Sequence, residues 1–331
     1  MSARLLVDLL REPERVEALG PEQWNGVIAA ARAERLLATL AYRVQGVKLP
    51  AALGPILADA RHDAARDKQV ALWEADRAMA ALAPLDISVM LLKGAAYVAG
   101  DLSAGEGRSI GDLDILLPRD RLDEAEAALL AAGWEWVKPD PYDDVYYRRW
   151  MHELPPMIHR ERDRMIDVHH TILPLTARPT PDAETLIAQS IKLPDGLRIL
   201  SPEDRICHAA AHMLADGDLA GGLRNLWDIR CLLKDIEDMS QLEARADHHG
   251  LASHVARAIR LADHLYGQRN ARLVLADRLF IRRLLSTDDW GRDGRKLLGL
   301  AFYIRSHLLR MPPLMLARHL WTKWRKGHNG L

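Results

Sequence analysis

Cysteine is nearly absent from this 331-residue chain: only Cys207 and Cys231 occur, and they form neither a CxxC pair nor a disulfide framework. That excludes a stapled secreted scaffold and points to a reducing compartment. Aromatic residues are scarce at 5 %, and the abundance of Ala, Leu and Arg favours helix over strand. Neither sign of charge dominates; the net charge of −1 gives no general reason to expect nucleic-acid binding. No run approaches about 18 uncharged apolar residues, so no membrane span is expected. Met1 to Leu19 interleaves Arg, Asp and Glu with its leucines and lacks the apolar core of a signal peptide. A cytoplasmic protein is the expectation. Three catalytic signatures are missing as well: the GxSxG elbow, the GxxxxGK(S/T) loop and the dinucleotide GxGxxG. Gly105-Glu106-Gly107 is too short to stand for the last.

What is present is a change of periodicity along the chain. Apolar residues recur at helical spacing through Trp24–Val44 and Ile56–Leu82, with breaks at Gly20-Pro21 and Gly46 to Pro50. From Pro84 the pattern turns to short strands: Ile87–Leu92, Asp112–Leu117, Trp134–Val137, Asp144–Arg149, Met157–His159 and Met165–His169. Helices are expected at Ala95–Asp101 and Arg119–Ala132, with a flexible loop over Ser103–Gly107. Ser201-Pro202-Glu203-Asp204 is a helix start, with Ser as cap, Pro in the first turn and acids beside the positive end of the dipole. Helical periodicity then continues through Ala215, Gly222–Lys234, Leu242–His248 and Ala252–Leu265. The expected organisation is α+β: a mixed-sheet core over 84–195, flanked by an N-terminal helical region, 1–83, and a C-terminal helical domain, 196–331.

The chemistry concentrates in two segments. Asp112-Leu113-Asp114 lies inside an apolar strand, where period-two alternation puts both carboxylates on one face. Such a pair is costly to bury unless a cation relieves it. Magnesium fits, because it takes oxygen ligands and keeps waters and phosphate oxygens; manganese suits the same donors. Asp167, in Met165-Ile166-Asp167-Val168-His169, alternates in the same way and could complete the site, hold a second metal and accept the acceptor's proton. Upstream, Leu91-Leu92-Lys93-Gly94-Ala95 is a strand-to-helix turn whose glycine lets backbone amides approach a phosphate. Lys93 and Arg108, with Ser109 beside it, are the candidate triphosphate contacts.

Zinc is not expected from the 14 histidines. His169-His170 are adjacent, and His208 and His212 share a helical face. No HExxH arrangement or cysteine pair accompanies them, so His208 and His212 read as packing residues.

These segments together resemble the uncharacterised bacterial branch of the nucleotidyltransferase superfamily, which has the DNA polymerase β-like fold. Leu200-Ser201-Pro202-Glu203-Asp204, His208, His212 and Leu226-Trp227-Asp228-Ile229 extend the resemblance into the helical part, over about residues 85 to 270. The resemblance implies Asp112 and Asp114 as the metal-binding pair, Asp167 as third acid, and Gly94 at the triphosphate turn. Ala95 departs from the Gly or Ser usual after that glycine, so a hydroxyl contact is lost. The implied reaction moves a nucleoside monophosphate from an NTP, with ATP the expected donor, to an acceptor hydroxyl or phosphate, releasing pyrophosphate. Implied acceptors range over small molecules, peptides and proteins.

Two rival readings stay open on the sequence. A DxD glycosyltransferase explains the acids but not the Lys-Gly turn. A non-catalytic nucleotide-binding scaffold gains if Asp167 points away from Asp112. One further feature stands apart: no acid follows Asp293, while Arg295, Lys296, Arg305, Arg310, Arg318, Lys323, Arg325 and Lys326 do. The segment Pro313–Lys326 also carries Leu314, Leu320, Trp321 and Trp324. It could meet an anionic membrane or an acidic partner; the expectation is that its apolar side packs on the body.

Overall fold

The computed structural model describes residues 2–267, 272–318 and 321. Four helices come first: α1 (Ser2–Arg11), α2 (Pro21–Ala33), α3 (Leu37–Arg43) and α4 (Leu53–Leu82). At 30 residues, α4 spans about 45 Å. The α+β core follows with β1 (Met90–Leu91), α5 (Lys93–Ala99), β2 (Asp112–Leu116), α6 (Leu122–Ala131), β3 (Trp134–Trp136), α7 (Pro141–Trp150), β4 (Met157–His159) and β5 (Met165–His169). After α8 (Ala183–Ala188), β6 (Ile191–Lys192) and β7 (Arg198–Ile199), helices return. These are α9 (Pro202–Ala210), a π turn (Ala211–Asp216), α10 (Gly222–Leu232), α11 (Met239–His248), α12 (Ala252–Tyr266), α13 (Leu275–Leu284) and α14 (Lys296–Arg310).

The sheet is mixed, in the order β3-β4-β5-β2-β1-β7-β6. β2 runs parallel to β5 and antiparallel to β1, and β1 runs parallel to β7. One buried apolar cluster continues from Ala3 through the sheet to Phe302, so all three expected regions share a core.

Three sequence readings need correction. Asp144–Arg149 is helical, within α7. Val145, Tyr146 and Tyr147 suit a strand, but the Asp140 carboxylate caps the Tyr142 and Asp143 amides at 2.8 and 3.2 Å, and Pro141 opens the first turn. The local start signal outweighs side-chain preference. The strand expected over Ile87–Leu92 narrows to Met90–Leu91, and the short pair β6 and β7 was not foreseen. The stretch Ser103–Gly107 is no flexible loop: it forms a tight turn, and Thr39 Oγ1 lies 3.2 and 3.1 Å from the Glu106 and Gly107 carbonyls. A Cβ at Gly107, where φ is +65°, would stand 2.5 Å from the Thr39 amide nitrogen, so only glycine fits.

That turn belongs to a buried knot centred on Asp228 of α10. Arg224 reaches Asp228 Oδ1 through two nitrogens, at 2.9 and 2.6 Å, and Thr39 Oγ1 at 2.6 Å. Arg108, just before β2, donates to Asp228 Oδ2 and lies over the Tyr97 ring. One carboxylate therefore joins the N-terminal helices, the sheet and the C-terminal helices. Elsewhere Arg162 forks onto the buried Glu74 of α4 at 2.9 to 3.1 Å. Asp204 of α9 is fully buried between Arg245, at 2.7 Å, and His249, at 3.0 Å. The π turn is held from outside as well, by Arg305 of α14 donating to the Leu214 carbonyl at 2.7 Å.

Among the described residues, no helix is long and apolar enough to cross a membrane. Beyond α14, Leu314 is 87 % and Trp321 58 % exposed, so the expected packing of this segment does not hold at either position. Leu320, Lys323, Trp324, Arg325 and Lys326 lie outside the described residues.

Removing the Asp228 carboxylate strands two buried guanidinium groups, a loss of about 3–5 kcal/mol for a broken buried pair. Asp228→Ala should lower the unfolding free energy by that amount in a urea titration followed by circular dichroism.

Candidate active site

Register places the acids. In the parallel β2–β5 pair, Asp112 stands opposite Met165 and Asp114 opposite Asp167. Side chains opposite one another on neighbouring strands share a face. Carboxylate oxygens of Asp112, Asp114 and Asp167 accordingly lie within 4.8 Å of one another. Asp112 is exposed at the start of β2, whereas Asp114 is only 3 % exposed. An all-oxygen cluster of this size fits a hard divalent cation.

Asp114 is buried on strict terms. Lys93 Nζ donates to its Oδ1 at 2.6 Å, and His169 Nε2 reaches the same oxygen at 3.0 Å. Burial alone would raise this acid; the Lys93 charge and the His169 bond outweigh burial and hold it well below the usual carboxylate range. Lys93 in turn is pushed up, because Asp114 more than offsets its own desolvation. Its backbone has φ +47°, a left-handed value costly for a residue with a side chain. That strain sits at the β1–α5 junction, where it turns the ammonium into the acid cluster.

Asp167 has the opposite fate. Burial, then Glu153 and Asp114, push it up to about 7, with His169 opposing. The cluster thus carries one firmly ionised acid and one that exchanges a proton near neutrality.

The other sequence candidates are placed differently. Gly94 and Ala95 lie buried in the first turn of the seven-residue α5. A Cβ at Gly94 would come 2.8 Å from Arg108 Nε, so close packing there demands glycine. Arg108 is committed to Asp228, and Ser109 Oγ donates to Asp67 at 2.8 Å. His208 and His212 lie beside Lys93, whose charge adds to burial in lowering both; His212 falls to about 3. Both line the crevice beside Lys93.

The crevice where the sheet meets the helical region is lined by Lys93, Tyr97, Arg108, His208, His212 and Asp228. Its volume of about 30 Å³ is one water's share of liquid. A larger cavity, about 640 Å³, is lined by Arg119, His170, Leu173 and Glu184 among others, and includes none of the three acids.

Sequence reading missed His152, Glu153 and Tyr147. Tyr147 is pushed up to about 12 by burial, Glu153 and Asp167, which sets α7 against the acids. Misreading α7 as a strand hid this; His152 and Glu153 follow it in a segment with no periodicity. Their one signal was the adjacency of two potential ligands.

Comparison with known proteins defines the class first: this is a nucleotidyltransferase. The chain belongs to the family described as "Uncharacterised nucleotidyltransferase", whose profile matches residues 20–267. Among solved structures it is similar to the solution structure of the antibiotic-resistance factor ANT(2'')-Ia, at 14 % identity and TM-score 0.38, covering 60 % of this chain and 97 % of that one. The crystal structure of ANT(2'')-Ia in complex with adenylyl-2''-tobramycin is similar at 14 % identity and TM-score 0.37, over 54 % and 97 %. No curated protein matches the chain in sequence.

A raised acid stabilises the fold only while protonated. Its contribution is intact below the unfolded value of about 4 and is lost as pH rises through about 7. In chelator-treated protein, Asp167→Asn should therefore be stabilising at pH 8, by up to about 4 kcal/mol, and bring little gain at pH 4. Calorimetric melts at the two pH values read this directly.

Proposed function

We propose that this nucleotidyltransferase moves a nucleoside monophosphate from an NTP, ATP first, to an acceptor hydroxyl or phosphate on a small molecule, peptide or protein. The observation that carries this reading is the β2–β5 register, which gathers Asp112, Asp114 and Asp167 from two strands onto one face. Those three acids would hold magnesium, or manganese in its place, and the bound cation would neutralise triphosphate oxygens and bring the donor to the acceptor.

The remaining work falls to the chain. Asp114, held well below the usual carboxylate range by Lys93 and His169, offers its charge to the cation. Asp167 can receive a proton, and it would take the one on the acceptor hydroxyl as the new bond to the α-phosphorus forms and the bond to pyrophosphate breaks. Lys93 stands nearest the acids and would meet the negative charge of the departing pyrophosphate. Arg108 and Ser109 reach a triphosphate only after leaving Asp228 and Asp67, so their part would follow a rearrangement of the crevice. The non-catalytic reading loses its main support, because Asp167 shares a face with Asp112.

The test is titration calorimetry of ATP, GTP, CTP and UTP, each with Mg²⁺, into wild type and Asp112→Asn. Binding of one triphosphate that needs Mg²⁺, weakened at least about 100-fold in the variant, is expected. In a transfer assay against an acceptor panel, at saturating donor and Mg²⁺, Asp167→Asn should lose roughly 10²–10⁴-fold in rate. Failure of all four triphosphates to bind with Mg²⁺ overturns the reading.

A further inference from the structure

Against the three aspartates lies a second donor set of different chemistry. His152 and Glu153 follow α7, and Glu153 forms an antiparallel bridge with His169, which puts their side chains on one face. One ligating atom each from His152, Glu153 and His169 lies within 4.8 Å of the others. Glu153 Oε2 is 3.4 Å from His169 Nδ1 and 3.8 Å from His152 Nε2. The two imidazole rings stand 5.1 Å apart, tilted by 31°.

Asp114 dictates the tautomer of His169. A carboxylate only accepts, so Nε2 carries the hydrogen given to Asp114 at 3.0 Å. In the neutral ring Nδ1 is then a bare lone pair. It is buried and has no hydrogen-bond partner among the described residues. A lone pair facing a carboxylate oxygen at 3.4 Å is repulsive, and a cation held between the two atoms would remove that repulsion. The arrangement is also that of metal-binding histidines, which give the other ring N–H to a carboxylate.

We propose that His152, Glu153 and His169 form a second cation site, separate from the aspartate cluster, for a borderline transition ion of the zinc class. Two imidazoles and one carboxylate suit zinc or cobalt, whereas three carboxylates suit magnesium or manganese. Three protein ligands leave a coordination position for water or an incoming group. The His152 and Glu153 side chains keep 12 % and 19 % exposure, which gives the ion a way in. Through the His169 ring the ion acts as a positioning device, since it fixes the imidazole that holds Asp114.

The experiment titrates Co²⁺ into full-length, chelator-stripped protein in excess Mg²⁺, reading the visible ligand-field band. One equivalent with the intense band of a four- or five-coordinate site is expected, displaced by Zn²⁺. His152→Ala and Glu153→Gln should weaken binding by more than about 100-fold, beyond the 10–100-fold typical of a merely supporting partner. Asp112→Asn should leave the band in place. A band that survives His152→Ala and vanishes in Asp112→Asn overturns the proposal, because the ion then sits on the aspartates. No band in wild type overturns it equally. If His152→Ala loses its helical circular dichroism, His152→Gln takes its place. The readout needs no nucleotide, so this site stands or falls apart from the proposed reaction.

Discussion

The Asp114 carboxylate sets the terms for everything around it. A charge at 3 % exposure survives in a sheet only if its solvation is replaced by partners at hydrogen-bond distance. Lys93 and His169 supply that replacement, and each carries a consequence. Lys93 can reach the acid because its backbone takes a left-handed turn between β1 and α5, so local strain is tied to a favourable ion pair. His169 can reach it because parallel pairing with β2 holds β5 in one register. Asp167 then stands opposite Asp114, where burial, together with the charges of Glu153 and Asp114, raises its affinity for protons. One buried charge thereby shapes a strained residue, a tautomer and a proton affinity.

Asp228 plays the corresponding part for the architecture. Its two oxygens take Arg224 from its own helix and Arg108 from the approach to β2, while Arg224 also reaches Thr39 of α3. Ion pairs of this sort contribute little net stability against apolar packing, yet losing one partner is costly. Their effect is to specify which helices meet which edge of the sheet. The Arg108 leg of this knot fills the crevice beside Lys93, so the geometry of the junction and the room beside the candidate site are one problem.

Much of this was legible in residue order. The Asp112-Leu113-Asp114 alternation and the Asp167–His169 repeat gave both acid strands, because period-two patterning survives in short segments with strong β-formers. Helical spacing gave the flanks, and Ser201-Pro202 gave the start of α9. Legibility failed where a partner lies far away in sequence. Nothing near Arg108 announces Asp228, and nothing near Ser109 announces Asp67, so both read as unoccupied phosphate contacts. It failed again at Asp144–Arg149, where a cap two residues before Tyr142 decided between helix and strand. His152 and Glu153 escaped notice because a β-bridge, rather than a regular element, aligns them with His169.

The π turn at Ala211–Asp216 carries a consequence of another kind. Its wider hydrogen-bonded ring takes up one residue more than an α-helix over the same path. Because the surplus is absorbed within the turn, removing one residue here would restore regular helical bonding and leave the chain on either side in its present direction. His208 would stay with α9, and the change would fall on the carbonyls of the turn itself, among them that of Leu214, which now receives Arg305. At this point the count of residues, more than their identity, determines which carbonyls are left open to a neighbouring helix.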